Sequence, residues 1–218
     1  MLAKSLISDG ANSRPIAQGD TLCGGEVIPA TNATAGITVT AAMLAGGLVL
    51  RSGAGAMTDT IDTAANIIAG LSAGLGTSGI QNGTSWHANW IVTTAQTCTL
   101  TATANTGIIV NRGAIAASSA KEFLVTIVNG TPAQTLNATT VNANAVLSGL
   151  TAAQCALLSV GMIVTNVQAG QQGNTIIAVN GPAGTVTMSG NSNATNATPV
   201  SFTFSPVVQI DGIKQGAI

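Results

Sequence analysis

Few residues in this chain could do chemistry, and they stand far apart. There is one histidine, His87. It could act as a base, but it sits between Trp86 and Trp90 in a segment read as a strand, with no carboxylate or nucleophile elbow close in sequence. Asp59 and Asp62 are three apart, just ahead of an apolar helical pattern, so capping and the helix dipole account for both. Cys23, Cys98 and Cys155 are isolated and odd in number, without a C-x-x-C pair. They read as small apolar core residues rather than metal ligands or nucleophiles. Gly53-Ala54-Gly55 is a turn that lacks the Lys and Ser/Thr of a phosphate loop. Trp86 and Trp90 suit either a sugar-stacking platform or one buried face of a strand, and the second reading is favoured. Taken together, these residues predict a protein that is not an enzyme and has no cofactor and no metal.

The elements around them read as mostly β. Thr97, Thr99, Thr101 and Thr103 alternate with Cys98, Leu100 and Ala102, which is the period of a half-buried strand. Trp86 to Thr94 is another strand, and Phe123 to Val128 is apolar enough to be buried on both faces. Gly36 to Thr40 and Gly47 to Arg51 are short strand candidates. Ile61, Ala64, Ala65, Ile68 and Leu71 share one helical face, which predicts a helix near 59–71 capped by Thr58 or Asp59. Thr151-Ala-Ala-Gln154 is a capping box and predicts a short helix near 151–159. Two strand patterns around Gly181-Pro182-Ala183-Gly184 predict a hairpin. The expected fold is all-β, mainly antiparallel and sandwich- or jelly-roll-like, with one short helix per domain. The expected domains are an extended N-terminal arm at 1–24, a β-rich domain at 25–135 and a smaller β-module at 136–218 that includes the C-terminal tail.

Charge is the strongest compositional signal. The 218 residues include six basic and seven acidic ones, and none lies between Phe123 and Ile210, a run of 88. Soluble domains are ordinarily about a quarter charged. A hydrophobic fraction of 46% argues against disorder. The longest apolar candidate, Ile37 to Leu50, is too short and too interrupted to span a membrane as a helix. A net charge of −1 offers no basic field for nucleic acid. An exterior so poor in charge is expected to be covered by copies of the chain or by partners. The arm lacks any period, yet Leu2, Leu6, Ile7 and Ile16, with Arg14, could dock into a partner's grooves or add to its sheet edge. These five are the expected interface residues.

Two stretches resemble sequences of tailed-bacteriophage virion proteins. Arg51 to Leu71, RSGAGAMTDTIDTAANIIAGL, is similar to segments of head-decoration and fibre proteins, with a glycine-rich turn followed by Asp59-Thr60-Ile61-Asp62-Thr63-Ala64-Ala65. Leu158-Ser-Val-Gly-Met162-Ile-Val-Thr165, followed by Thr175 to Val179 and Thr185 to Ser189, resembles small β-modules repeated in phage tail and surface proteins. The resemblance implies a virion role. Its leading form is a capsid decoration (cement) protein on the capsid exterior, a homotrimer whose partners are the major capsid protein and copies of itself, with no nucleic acid and no membrane. The alternatives are a tail, baseplate or fibre protein that binds a host receptor, and a cell-surface adhesin or carbohydrate-binding module.

Overall fold

The structure is a computed structural model, and it describes residues 7–8, 13–14, 27–29, 36–46, 48–75, 80–166 and 171–218. The chain forms two compact units, and strands dominate both. One unit combines residues of Met1–Thr103, Ile108–Gly130 and Val208–Ile218, and the other combines Ala104–Gly107 and Thr131–Val207.

The first unit opens with short strands β1 (Ile7–Ser8), β2 (Ser13–Arg14), β3 (Val27–Pro29) and β4 (Thr38–Val39). Helix α1 (Ala41–Gly46) and strands β5 (Leu48–Arg51) and β6 (Met57–Ile61) follow. Then come α2 (Ala64–Leu75), β7 (Ser85–Val92), β8 (Cys98–Ala102), β9 (Ile108–Asn111), β10 (Ala114–Ile115) and β11 (Ser119–Asn129). The second unit holds β12 (Gln134–Thr140), β13 (Val146–Leu147), α3 (Ala152–Cys155), β14 (Ile163–Asn166), β15 (Gln171–Asn180), β16 (Thr185–Met188) and β17 (Asn196–Ser205). The last strand, β18 (Val207–Ala217), returns to the first unit's larger sheet. The sequence pattern assigns the tail to the second module. Instead, Val208 and Ile210 fill that sheet's inner face, and β18 pairs in parallel with β9.

The first unit is a sandwich of a six-stranded sheet, β3-β5-β7-β11-β18-β9, and a four-stranded sheet, β10-β8-β6-β4. From β3 to β8 the chain alternates between the two sheets. Each strand therefore lies beside the one two places earlier and points the same way. The ladders β3–β5–β7 and β4–β6–β8 are accordingly parallel. Antiparallel ladders, β7–β11 and β8–β10, take over at one end of these coils. The inner faces share one core built around Trp86, Trp90, Phe123, Met57, Leu100 and Val125. β7 buries Trp86, Ala88, Trp90 and Val92 on one face. β11 alternates in the same way, with Phe123, Val125 and Ile127 inside and Val128 exposed, so it is buried on one face rather than both.

Among the described residues this unit holds two helices rather than one. α1 follows Thr40, whose carbonyl accepts from the Leu44 amide at 3.1 Å. α2 starts at Ala64, five residues later than the sequence pattern placed it. Thr63 Oγ1 accepts from the Asn66 amide at 3.2 Å, and Asp62 Oδ1 accepts from the Asn66 side chain at 2.8 Å. Asp59 and Ile61 obey a period of two, not 3.6, because Met57, Asp59 and Ile61 all turn inward from β6. α2 buries Ala64, Ile67, Ile68 and Leu71, at helical spacing.

The second unit is antiparallel throughout, in the order β12-β17-β14-β15-β16-β13. Its two end strands meet at Thr139 and Ser148, which exchange backbone hydrogen bonds of 2.8 and 3.1 Å. The sheet thus closes into a small barrel, filled by residues such as Phe202, Phe204, Met162, Val164 and Val186. α3 carries the expected capping box: the Gln154 amide donates to Thr151 Oγ1 at 3.1 Å, and the Thr151 amide donates to Gln154 Oε1 at 2.8 Å. The expected hairpin is β15–β16, closed around residues 181–184. Among the described residues, no helix is long and apolar enough to cross a membrane.

Candidate functional site

Arg51 and Asp59 form an ion pair inside the first unit. Arg51 ends β5 at the inward parity set by Val49, and Asp59 stands between Met57 and Ile61 on the inward face of β6. Both side chains are fully buried, and Arg51 Nη2 lies 2.9 Å from Asp59 Oδ1. The carboxylate also accepts from the Ile37 amide at 3.2 Å, Trp90 Nε1 at 3.3 Å and Cys98 Sγ at 3.2 Å. A buried charge needs such partners, because its desolvation costs several kcal/mol. Burial pushes the Cys98 thiol up to about 12, and the neighbouring Asp59 charge adds to the shift. A thiol held protonated this firmly is a poor nucleophile. The role expected for Asp59, helix capping, is thereby replaced by a structural one in the core.

His87 does have a carboxylate partner. His87 Nδ1 lies 2.6 Å from Glu122 Oε1, and the two side chains are 40% and 36% exposed. β7 and β11 pair Asn89 with Glu122 and His87 with Leu124, so His87 and Glu122 are diagonal neighbours on the outward face. Sequence reasoning missed this pair because 35 residues separate its members. The outward parity of both strands is the one signal that could have shown it. A carboxylate and the imidazole it holds are two of the three members of a catalytic triad. Ser85 shares the outward face, but it is not hydrogen-bonded to His87 among the described residues, and a nucleophile needs contact at about 2.6–3.2 Å. Further along the same sheet, Asp211 accepts from Asn111 Nδ2 and from Gln209 Nε2, both at 2.7 Å. Lys121 Nζ donates to the carbonyls of Arg112 and Ala114, the latter at 2.6 Å. Burial, and secondarily Arg112, lowers its pKa from the ordinary lysine value.

The remaining candidates separate. Trp86 and Trp90 are 1% and 0% exposed, and Phe123, Phe202 and Phe204 are also buried, so every aromatic side chain of the chain lies in a core. No stacking platform is left at the surface. Cys98 and Cys155 are buried free thiols, and burial raises the pKa of Cys155 too. Cys23 lies outside the described residues. Among the described residues, no three His, Cys, Asp or Glu side chains gather as metal ligands would. Of the five expected arm residues, Leu2, Leu6 and Ile16 lie outside the described residues. Ile7 and Arg14 are brought together as backbone partners: β1 and β2 pair antiparallel, Ile7 opposite Arg14 and Ser8 opposite Ser13. The sequence predicts an extended arm without a period, and this short antiparallel ladder lies within it.

The two units thus define an all-β protein in which ionic side chains occupy one unit and neutral side chains the other. No family model, curated protein or solved structure matches the chain.

Proposed function

We propose that the protein is a non-enzymatic structural component of a tailed-phage virion, foremost a capsid decoration protein that binds the major capsid lattice as a homo-oligomer. One observation carries the reading. The second unit contains no Asp, Glu, Lys, Arg or His, yet Val141, Leu157, Val160 and Ile177 are 48–60% exposed on it. A free monomer relies on surface charge for solubility, whereas permanent interfaces are apolar and poor in charge. A neutral exterior therefore suits a surface that stays covered. The resemblance of Arg51–Leu71 and of Leu158–Ser189 to phage structural proteins supplies the particle.

A second reading is a tail, baseplate or fibre protein, and the module Leu158–Ser189 favours it because its resemblance is to tail and surface modules. An adhesin that stacks sugars on Trp86 or Trp90 is disfavoured, since both rings lie in the core.

The test is the location and state of the protein. Light scattering should give a multiple of the 21.3 kDa chain mass, and electron microscopy of particles should show it covering the head. Deleting residues 1–20 should leave the circular dichroism unchanged and reduce head occupancy. A stable soluble monomer, or density confined to the tail, would overturn the decoration reading.

A further inference from the structure

The six-stranded sheet ends unevenly. Its last strand, β9, pairs with β18 from Ile108 to Asn111, opposite Val208 to Asp211. β18 runs on to Ala217, and past Asp211 no strand lies along that side of it among the described residues. The Ile218 amide donates to the Ser118 carbonyl at 3.1 Å, on the side of β11. Backbone groups alternate sides along a strand, so the N–H and C=O groups of Ile213, Gln215 and Ala217 face the open side. Residues 213–217 are all exposed, Ile213 by 49%. Where β9 stops, Asn111, Arg112, Asp211, Gly212 and Ile213 line an open notch of about 630 Å³.

The notch is built around a cation. Arg112 has φ +54°, a left-handed conformation that strains an arginine and suits a glycine. Lys121 Nζ donates to the carbonyls of Arg112 and Ala114 and so holds this turn in place. Gly212 lets the backbones close up, since a Cβ there would lie 2.6 Å from both the Arg112 carbonyl oxygen and Lys121 Cε. The Arg112 guanidinium makes no hydrogen bond or ion pair among the described residues. Asp211 lines the same notch, but its oxygens accept from Asn111 Nδ2 and Gln209 Nε2, both at 2.7 Å. Lys214 adds an exposed positive charge on the free stretch of β18. Three of the chain's six basic residues thus stand at this corner, with one lining carboxylate that is already occupied.

An exposed strand edge is a template for another strand, which gains affinity from backbone hydrogen bonds and specificity from its side chains. Here the open edge selects an extended backbone, and the unpaired guanidinium beside it selects a carboxylate. The described carboxylates of the chain itself, Asp59, Asp62, Glu122 and Asp211, are each already bonded, so a second copy does not offer them. We infer that the free edge of β18, with the notch at the end of β9, docks an extended acidic segment of a partner protein. That segment adds to the sheet as a strand in line with β9 and sets a carboxylate against Arg112. The inference does not rest on the virion reading, since it concerns the edge of one unit in solution.

The experiment follows amide exchange by NMR in the full chain. Alone, the amides of Ile213, Gln215 and Ala217 should exchange faster than those of Lys214 and Gly216 at every protein concentration. The probe is the blocked heptapeptide Thr-Val-Glu-Val-Glu-Val-Thr. It should slow exchange at the three edge amides about tenfold at a concentration ten times its Kd. The same peptide with lysine in place of glutamate should not. Arg112→Gly should lose the protection while melting no lower than the parent, because glycine is at ease at positive φ. Gln215→Pro should also lose it at Ile213 and Ala217, and the fold tolerates a proline whose missing N–H faces away from β11. No protection by the acidic peptide at millimolar concentration overturns the inference. So does equal protection by the lysine peptide, or full protection in Arg112→Gly. If that variant fails to fold, full protection in Arg112→Asn overturns it instead. Edge amides already protected in the parent overturn it too: protection that survives dilution means that the chain covers its own edge, and protection lost on dilution means that a second copy does.

Discussion

Without the guanidinium of Arg51, the Asp59 carboxylate would stand unbalanced in the core of the first unit. The remaining donors, Ile37 N, Trp90 Nε1 and Cys98 Sγ, are neutral. Breaking a buried pair from one side costs about 3–5 kcal/mol, a large part of a domain's ~5–15 kcal/mol. Arg51→Met should therefore lower unfolding free energy by that amount in a urea titration. Adding Asp59→Asn should restore part of it, because the amide oxygen still accepts from the Ile37 amide and no charge remains. A single variant within about 1 kcal/mol of the parent would mean that water reaches the carboxylate. Half of this pair had a trace in the sequence. Asp59 stands at period two between Met57 and Ile61, but the helical pattern beginning at Ile61 overlaps it. Arg51 ends an apolar strand without any sign of its partner, because a contact between neighbouring coils depends on register.

At the scale of elements, local rules held where the partners are close in the chain. The Thr151–Gln154 box and the Gly181–Gly184 hairpin were both legible, since three or four residues suffice to satisfy their backbone groups. α1 was not, because Ala41–Gly46 has too few residues to show a period. The hairpin supplies a test. Gly184 has φ +62°, and its carbonyl oxygen accepts from the Leu150 amide at 3.1 Å. A Cβ there would lie 2.1 Å from the Leu150 carbonyl oxygen. Gly184→Ala should cost at least the ~1–3 kcal/mol of a strained backbone residue, read as a lower melting temperature. Gly216→Ala in β18 meets nothing within 4 Å and should melt like the parent. Equal melting of the two variants would mean that the 181–184 turn rearranges freely.

The whole molecule divides its charge unevenly, and that has a consequence for pH and salt. Cys155 is the sole titratable side chain of the second unit. Burial raises its pKa, so its contribution is complete below the ordinary thiol range and is lost as pH rises through the folded value. Amide-exchange protection in the barrel, corrected for intrinsic rates, should therefore stay flat from about pH 4 to 8. It should also stay flat between about 0.01 and 1 M salt, over which the Debye length falls from ~30 to ~3 Å. The charged side chains, Asp59, Glu122 and Asp211 among them, all belong to the first unit, so a salt dependence of protection is expected there instead. A barrel that loosens in parallel with the first unit would show that the two unfold as one.

What this sequence determined by itself was composition and short-range pattern: an all-β chain, strands of period two in β7, β8 and β17, the capped start of a helix expected over 151–159 that the structure ends at Cys155, and a long neutral tract. Each follows from residue type or from neighbours a few positions apart. Tertiary structure alone decided the parallel coiling of the first unit, the return of β18 to it, the closure of the barrel at Thr139 and Ser148, and the meetings of Arg51 with Asp59 and His87 with Glu122. It also decided that β9 stops at Asn111 while β18 runs on, which leaves an edge open. Those outcomes depend on which strands lie side by side and in what register. Register is set by burying whole faces at once, which no local stretch of the chain can encode.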